Sequence, residues 1–301
     1  MMPRITPIDA TLGASVTELS LGKMDDSTWK IVEQAFHDYA VLVFPAQHLA
    51  EDEQVTFANR FGDIELLAPD PNLKAVAISN QKPDGSVLDA EEDRYKSLRG
   101  NEGWHTDSSY MPLAAKASVL SAQVVPSKHG ETEWADMRAA YAALDEATRR
   151  RIAGLSAYHS LYHSQAKIGH VAQTGSGYGF HTKGAPLRPL VKVHPVTGRP
   201  SLFIGRHAYG IPGLEPAESE KLLADLVDFA CRSPRTYAHR WQPGDVVIWD
   251  NRCVLHRARP YDYREPRVMR HTRVAGDPAT ELARTDRDER AAAFEPSTAN
   301  R

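Results

Sequence analysis

The chain has 301 residues, 42% of them hydrophobic, and a formal net charge of -3. That supplies enough apolar surface for one large domain with an internal cavity, while the mixed charge offers no broad basic field for nucleic acid or anionic lipid. Its two cysteines, Cys231 and Cys253, are too few for a disulfide framework and wrongly spaced for a zinc knuckle, which points to a reducing compartment. With no apolar N-terminal run and no stretch near the roughly 20 apolar residues of a membrane span, the expected location is the cytoplasm.

After a short extended opening, Asp25, Asp26 and Ser27 offer caps for a helix on which Trp29, Val32, Ala35 and Phe36 recur at helical spacing. Residues 40–44 are a continuous apolar run ended by Pro45 and predict a buried strand. Residues 51–61 predict a second amphipathic helix stopped by Gly62. A strand is expected over 75–79, then a polar loop over 80–100, punctuated by Pro83 and Gly85, at the mouth of a pocket.

That loop leads into Trp104-His105-Thr106-Asp107. In an extended segment residues i and i+2 project to the same side, so His105 and Asp107 can both reach one ion. A strand is expected over 117–125, turning at Pro126 and Gly130, and helical segments over 136–154 and 216–231. Between these helices, residues 158–178 are rich in His, Ser, Tyr and Gly and predict a long loop or lid. His159, His163 and His170 lie there without a supporting carboxylate or thiol, and are read as solvated or pocket-lining imidazoles rather than a second metal site.

Residues 244–250 predict a turn and a strong strand, placing His256 just past a strand end. Together with His105 and Asp107 it gives two imidazoles and a carboxylate, the facial ligand set of non-haem iron(II) oxygenases. Residues 267–274 predict a strand with Arg267, Met269, His271 and Arg273 on one face. That face is too polar for a plain core and suits an anion-binding cavity, because a guanidinium holds a carboxylate through two parallel hydrogen bonds. An oxygenase of this type can take a 2-oxo acid that chelates the iron while its far carboxylate meets a fixed cation.

From Asp277 onward the chain is charged and reads as a tail or surface helix, so a catalytic domain over 1–277 and a tail over 278–301 are expected. Strands interrupted by helices, with ligands near strand ends, predict an α+β fold with a jelly-roll, cupin-like double-stranded β-helix core and flanking helices. No Gly-x-Gly-x-x-Gly turn follows an early strand, which argues against a nicotinamide cofactor.

Trp104-His105-Thr106-Asp107-Ser108-Ser109, Thr132 after His129-Gly130-Glu131, Trp249-Asp250-Asn251-Arg252 with His256, and Arg267 resemble the motif set of the iron(II)/2-oxoglutarate-dependent taurine dioxygenase family over residues 5–277. Within that family the segments 11–14, 136–141, 186–195 and 204–208 are similar to the bacterial aryloxyalkanoate dioxygenases of the (S)-phenoxypropionate type. The resemblance implies Fe(II), 2-oxoglutarate and O2, with His105, Asp107 and His256 as iron ligands, Thr132 and Arg267 on the far carboxylate of 2-oxoglutarate, and Asn101 in contact with substrate. The taurine-type pattern has a second arginine, four residues beyond the first, that grips the substrate anion. His271 stands there in this chain and is a weaker, pH-dependent receptor; Arg273 on the same face, Lys96 and His207 are the other candidates.

The implied reaction hydroxylates an aryloxyalkanoate, the phenoxypropionate and phenoxyacetate herbicide class, next to its ether oxygen. The products are a phenol, a 2-oxo acid, succinate and CO2. The same chemistry on a sulfonate, a sulfate ester or a natural aromatic carboxylate is the alternative. The resemblance also implies a homo-oligomer acting on a small carboxylate. Two other classes use the same ligands: a zinc hydrolase, which leaves Thr132 and Arg267 without a purpose, and a non-catalytic metal-binding barrel.

Overall fold

The computed structural model describes residues 2–288 and 290. The chain begins with β1 (Arg4–Pro7), β2 (Ala14–Thr17), α1 (Asp26–Tyr39), β3 (Val41–Phe44), α2 (Glu51–Asn59), β4 (Val76–Ser79) and α3 (Asp93–Gly100). Its middle supplies β5 (Ala115–Val124), β6 (Thr132–Asp136), α4 (Met137–Ala143), α5 (Glu146–Ile152), β7 (Ser156–His159), α6 (Leu161–Ala166), β8 (Ala185–Pro189), β9 (Val191–Val193), β10 (Pro200–Leu202) and β11 (Ala208–Tyr209). Then come α7 (Pro216–Ala230), β12 (Thr236–His239), β13 (Val246–Asp250), β14 (Val254–Ala258), β15 (Val268–Ala275), α8 (Pro278–Glu281) and β16 (Thr285–Asp286).

A seven-stranded sheet runs in the order β1-β2-β3-β13-β5-β15-β4, antiparallel except where β2 pairs parallel with β3. Strand alternation gives it two buried faces. On one, Leu42, Phe44, Val119, Ile248 and Val274 pack against Val32, Phe36 and Phe57 of α1 and α2. On the other, Val41, Val43, Leu120, Val247, Trp249 and Met269 meet Trp134, Trp241 and Val254, which belong to or adjoin the three-stranded sheet β12-β6-β14. The functional cavity opens on this second side. A four-stranded sheet β11-β7-β8-β16 and the β9-β10 hairpin complete the strands. The result is an α+β jelly-roll with flanking helices, whose sheets do not close into a barrel.

Local chemistry explains several boundaries. Asp25 caps α1 by accepting from the Thr28 N–H at 2.7 Å. Glu53 accepts from the Ala50 N–H at 2.8 Å at the start of α2. The helical segment expected over 136–154 is broken at Leu144, which is extended, because Asp145 accepts from the Thr148 N–H and starts α5 afresh.

Other expectations are corrected. The loop expected over 80–100 contains α3, held by Tyr95 packing on Tyr263, ring centroids 4.9 Å apart. The loop expected over 158–178 begins with the end of β7 and contains α6, whose hydroxyl cap is Ser160. His256 lies inside β14 rather than past a strand end. Residues 278–288 are not a free tail: β16 pairs with β8, and buried Glu281 forms an ion pair with Lys192. Residues 291–301 of the expected tail lie outside the described residues.

Candidate active site

His105 is not on a strand, as its spacing suggested, but in an isolated antiparallel bridge with His256. The two residues exchange both backbone hydrogen bonds, His105 N to His256 O at 2.9 Å and His256 N to His105 O at 2.7 Å. Directly opposed side chains then fall on one side, and the imidazole centroids are 4.1 Å apart. Asp107 follows in a turn, with Ser108 at φ +53°. Between the ligand-type residues, the Thr106 hydroxyl is within bonding distance of the carbonyls of Asn251 and Val254, at 3.0 and 2.8 Å, which keeps Thr106 facing away.

His105, Asp107 and His256 offer ligand atoms that all lie within 4.8 Å of one another, and all three are buried. The His105 Nδ1 sits 2.8 Å from the Gly103 carbonyl, which assigns a proton to Nδ1 and leaves the Nε2 lone pair free. Burial pushes the His105 imidazole down to about 3 and that of His256 down to about 4, so both are neutral near pH 7, the form that ligates a metal. Burial opposes the charge of Asp107, but nearby positive charge, the Arg273 guanidinium first, outweighs it and holds the carboxyl below its ordinary value. The Arg273 Nη2 donates to Asp107 Oδ1 at 2.7 Å and the Ser118 hydroxyl to Oδ2 at 2.6 Å. Behind Ser118 the chain continues: Asn251 Nδ2 donates to the Ser118 oxygen, and Trp249 Nε1 to Asn251 Oδ1. This accounts for Trp249 and Asn251 in the second motif. Asp250 and Arg252 instead form a buried ion pair, with His194 3.0 Å from the same carboxylate. The donor set therefore fits iron(II), which favours two imidazoles and a carboxylate on one face.

The cavity beside this set is lined by Thr132, His256 and Ala258 from the small sheet, by Leu120, Trp249, His271 and Arg273 from the large one, and by Arg267 just before β15. Asn101, Tyr110, Leu161, Gln165, Arg206 and His207 close its remaining side. Arg267 is 5% exposed; its Nε donates to the Gly130 carbonyl at 3.1 Å and its Nη2 lies 3.4 Å from the Thr132 hydroxyl. It forms no ion pair among the described residues, and burial pushes its guanidinium down. A buried cation with no counter-charge, facing a cavity, fits an incoming carboxylate.

The candidates for the substrate anion separate. Lys96 is on α3, 3.5 Å from Glu91, and does not line the cavity. Arg273 lines it but is committed to Asp107 and to Ser108. His271 stacks on Trp249 and is pushed down to about 3 by burial and by Arg273, so it carries no charge for an anion. His207 lies against Tyr110 and His105, its Nδ1 2.8 Å from the Ser164 hydroxyl, and burial holds it neutral too.

The residue missed by sequence reasoning is Arg206. Arg206 lines the cavity, and its guanidinium donates to the Ser164 carbonyl at 2.8 Å and to the Gly100 carbonyl, with no carboxylate partner among the described residues. Burial pushes it down to about 10, still a cation near pH 7. Its signals in the sequence are a position beside His207 and a place in the segment 204–208 that resembles the aryloxyalkanoate dioxygenases, neither of which gives it a role. His159, His163 and His170 form no ligand group with a carboxylate among the described residues.

A two-histidine, one-carboxylate set in a jelly-roll cavity, with a buried guanidinium beside it, has the make-up that a non-haem metal oxygenase requires. Residues 4–273 match the family described as taurine catabolism dioxygenase TauD, TfdA family, and the chain belongs to that family. It is 55% identical over 285 residues to the (S)-phenoxypropionate/alpha-ketoglutarate-dioxygenase of Sphingobium herbicidovorans, covering 93% of this chain and 97% of that one. It is 56% identical over 287 residues to the protein of the same name from Delftia acidovorans, with the same coverage. Among solved structures, AAD-2 in complex with Mn(II) and N-oxalylglycine superposes with a TM-score of 0.86 at 37% identity, covering 95% of this chain and all of that one. No helix among the described residues is long and apolar enough to cross a membrane.

Proposed function

We propose that this protein is an iron(II)- and 2-oxoglutarate-dependent dioxygenase that oxidises an aryloxyalkanoate of the phenoxypropionate type at the carbon bearing the ether oxygen, releasing a phenol and a 2-oxo acid. The observation that carries the reading is a single cavity holding His105, Asp107 and His256 together with two guanidiniums, the buried Arg267 and the half-buried Arg206, that lack carboxylate partners among the described residues. Two such cations match two carboxylates, one on 2-oxoglutarate and one on the substrate. The names of the relatives at 55% and 56% identity support the same substrate class.

His105, Asp107 and His256 would hold the iron. Bound there, iron(II) with 2-oxoglutarate and O2 supplies the oxidation of the C–H bond, with succinate and CO2 as co-products. The residues of the chain do the placing. The His105–His256 bridge fixes both imidazoles, and Arg273 with Ser118 fixes the carboxylate of Asp107. Arg267 and Thr132 would take the far carboxylate of 2-oxoglutarate, and Arg206 that of the substrate. Tyr110, Leu161 and Leu120 offer an apolar wall for its ring. A zinc hydrolase gives Arg267 and Thr132 nothing to hold.

The test is succinate release by protein loaded anaerobically with iron, on adding O2 and 2-oxoglutarate, with a panel of phenoxyalkanoates, taurine and alkyl sulfates, for wild type and His105→Ala. Phenol and succinate produced together with phenoxyalkanoates, and lost in the variant, are expected. Coupled turnover of only a sulfate ester or taurine would overturn the substrate class, and no iron-dependent turnover would overturn the reaction.

A further inference from the structure

The segment 284–288 lies beyond the family match, which ends at residue 273, yet it is fastened to the substrate side of the cavity. Thr285 and Asp286 pair with Pro186 and Ala185 of β8, and the Leu187 N–H donates to the Arg284 carbonyl at 2.9 Å. Gly184 makes room for this strap: a Cβ there would stand 2.3 Å from the Asp286 carbonyl oxygen. The Tyr158 hydroxyl donates to Asp286 at 3.0 Å. Asp288 is buried and receives the Ser160 hydroxyl at 2.7 Å and the Tyr209 hydroxyl at 3.3 Å.

Ser160 is the N-cap of α6, and its oxygen accepts from the His163 N–H at 3.2 Å. A hydroxyl has one proton and spare lone pairs, so an acceptor at Asp288 points the proton away and leaves a lone pair on the helix. The Ser160 N–H is also tied to the His207 carbonyl at 2.9 Å. From α6, Leu161 and Gln165 line the cavity, the Ser164 carbonyl receives Arg206, and the Ser164 hydroxyl meets His207. A short helix of six residues depends on such outside contacts. None of these bonds reaches Arg267 or Thr132.

We propose that Asp288 is a positioning residue for the substrate end of the cavity, and that the strap 284–288 sets substrate affinity by holding α6 against Arg206 and His207. The affinity arm rests on the functional reading above; the structural arm does not.

The experiment compares wild type, Asp288→Asn, Asp288→Ala and Gly184→Ala, full length, by amide hydrogen exchange and by steady-state kinetics with (S)-2-phenoxypropanoate. Asp288→Ala is expected to speed exchange in 161–166 by about tenfold or more. It should raise KM for the phenoxypropanoate by about tenfold, with kcat and the half-saturating 2-oxoglutarate concentration nearly unchanged. Asp288→Asn, which keeps one acceptor oxygen, should fall between, and Gly184→Ala should act in the same direction by lifting the strap. Should Asp288→Ala fail to fold, the Asn variant and Gly184→Ala decide. Wild-type exchange over 161–166 and wild-type KM in folded variants would overturn the proposal, as would equal losses of 2-oxoglutarate and substrate affinity. If wild type turns over no phenoxyalkanoate, the functional reading fails while the exchange result still decides the role of the strap.

Discussion

Arg273 and Asp107 form a buried ion pair, Nη2 to Oδ1 at 2.7 Å, with each side chain 8% exposed. The guanidinium on the polar face of β15 thus serves the carboxylate proposed to bind iron, not an incoming anion. Its Nη1 also donates to Ser108, which bonds Glu65, and Tyr178 from the long loop donates to Glu65 as well.

Removing that guanidinium leaves Asp107 buried with Ser118 as its remaining side-chain donor. Arg273→Ala is expected to cost roughly 3–5 kcal/mol of folding stability, checked by urea unfolding. Iron(II) binding should weaken about 10–100-fold, checked by metal titration. Arg273→Lys restores the charge without the planar fork and should lie between. Stability and iron affinity equal to wild type in Arg273→Ala would mean that Ser118 alone orients Asp107.

Arg267 is expected to act on 2-oxoglutarate alone. Truncating one partner of a buried charge-assisted pair costs about 2–5 kcal/mol, so Arg267→Ala should raise the half-saturating 2-oxoglutarate concentration by roughly 30-fold or more. Thr132→Val should raise it only a few-fold, since about 1 kcal/mol is at stake. It should also lower the melting temperature, because Trp241 Nε1 donates to that hydroxyl at 3.0 Å and would lose its acceptor. Steady-state kinetics at saturating phenoxyalkanoate separate the two.

The parts of the site legible in the sequence were those set by local geometry or by the polarity of a face. His105 and Asp107 are two residues apart, and Arg267, His271 and Arg273 share a strand face that is too polar for a core; the structure puts all of them on one cavity. What the sequence concealed is set by long-range partners. α6 buries Leu161, Tyr162, His163, Ser164 and Gln165 in succession, so it shows no helical period. α3 carries few apolar residues and is held through Tyr95 on Tyr263. Glu281 looks like a solvated charge until Lys192 is found against it, and Arg273 looks like an open cation until Asp107 is.

His159 is buried on β7 with neither ring nitrogen hydrogen-bonded among the described residues, its ring tilted against Phe203 with centroids 5.6 Å apart. Burial, with Arg188 and Lys192, holds its imidazole well below the ordinary 6.5. Between the unfolded and folded values the unfolded chain binds the extra proton, so stability is lost as pH falls below 6.5. His163, pushed down to about 4 by burial, adds to the loss between those limits. Unfolding free energy from urea titrations should therefore drop from pH 7 to pH 5. His159→Phe should flatten the slope by up to about 1.4 kcal/mol per pH unit. An unchanged slope would show that His159 takes up its proton in the folded state as readily as in the unfolded one.

Two glycines leave room for Arg206 where it sits. A Cβ on Gly100 would lie 2.6 Å from its Nη1, and one on Gly103 3.0 Å from its Cδ. The Gly100 and Ser164 carbonyls orient the guanidinium but do not neutralise it. If it holds the substrate carboxylate, position and charge should both matter. Arg206→Lys keeps the charge and loses the fork, and should raise KM for (S)-2-phenoxypropanoate about tenfold. Gly100→Ala keeps the guanidinium but displaces it, and should raise KM in the same direction. Half-saturation by 2-oxoglutarate should hold in both. Comparing the acid with its uncharged amide isolates the charge: Arg206→Ala should abolish most of the preference for the acid. A preference that survives in Arg206→Ala would place the anion on another group, and His207 would have to become protonated to provide it.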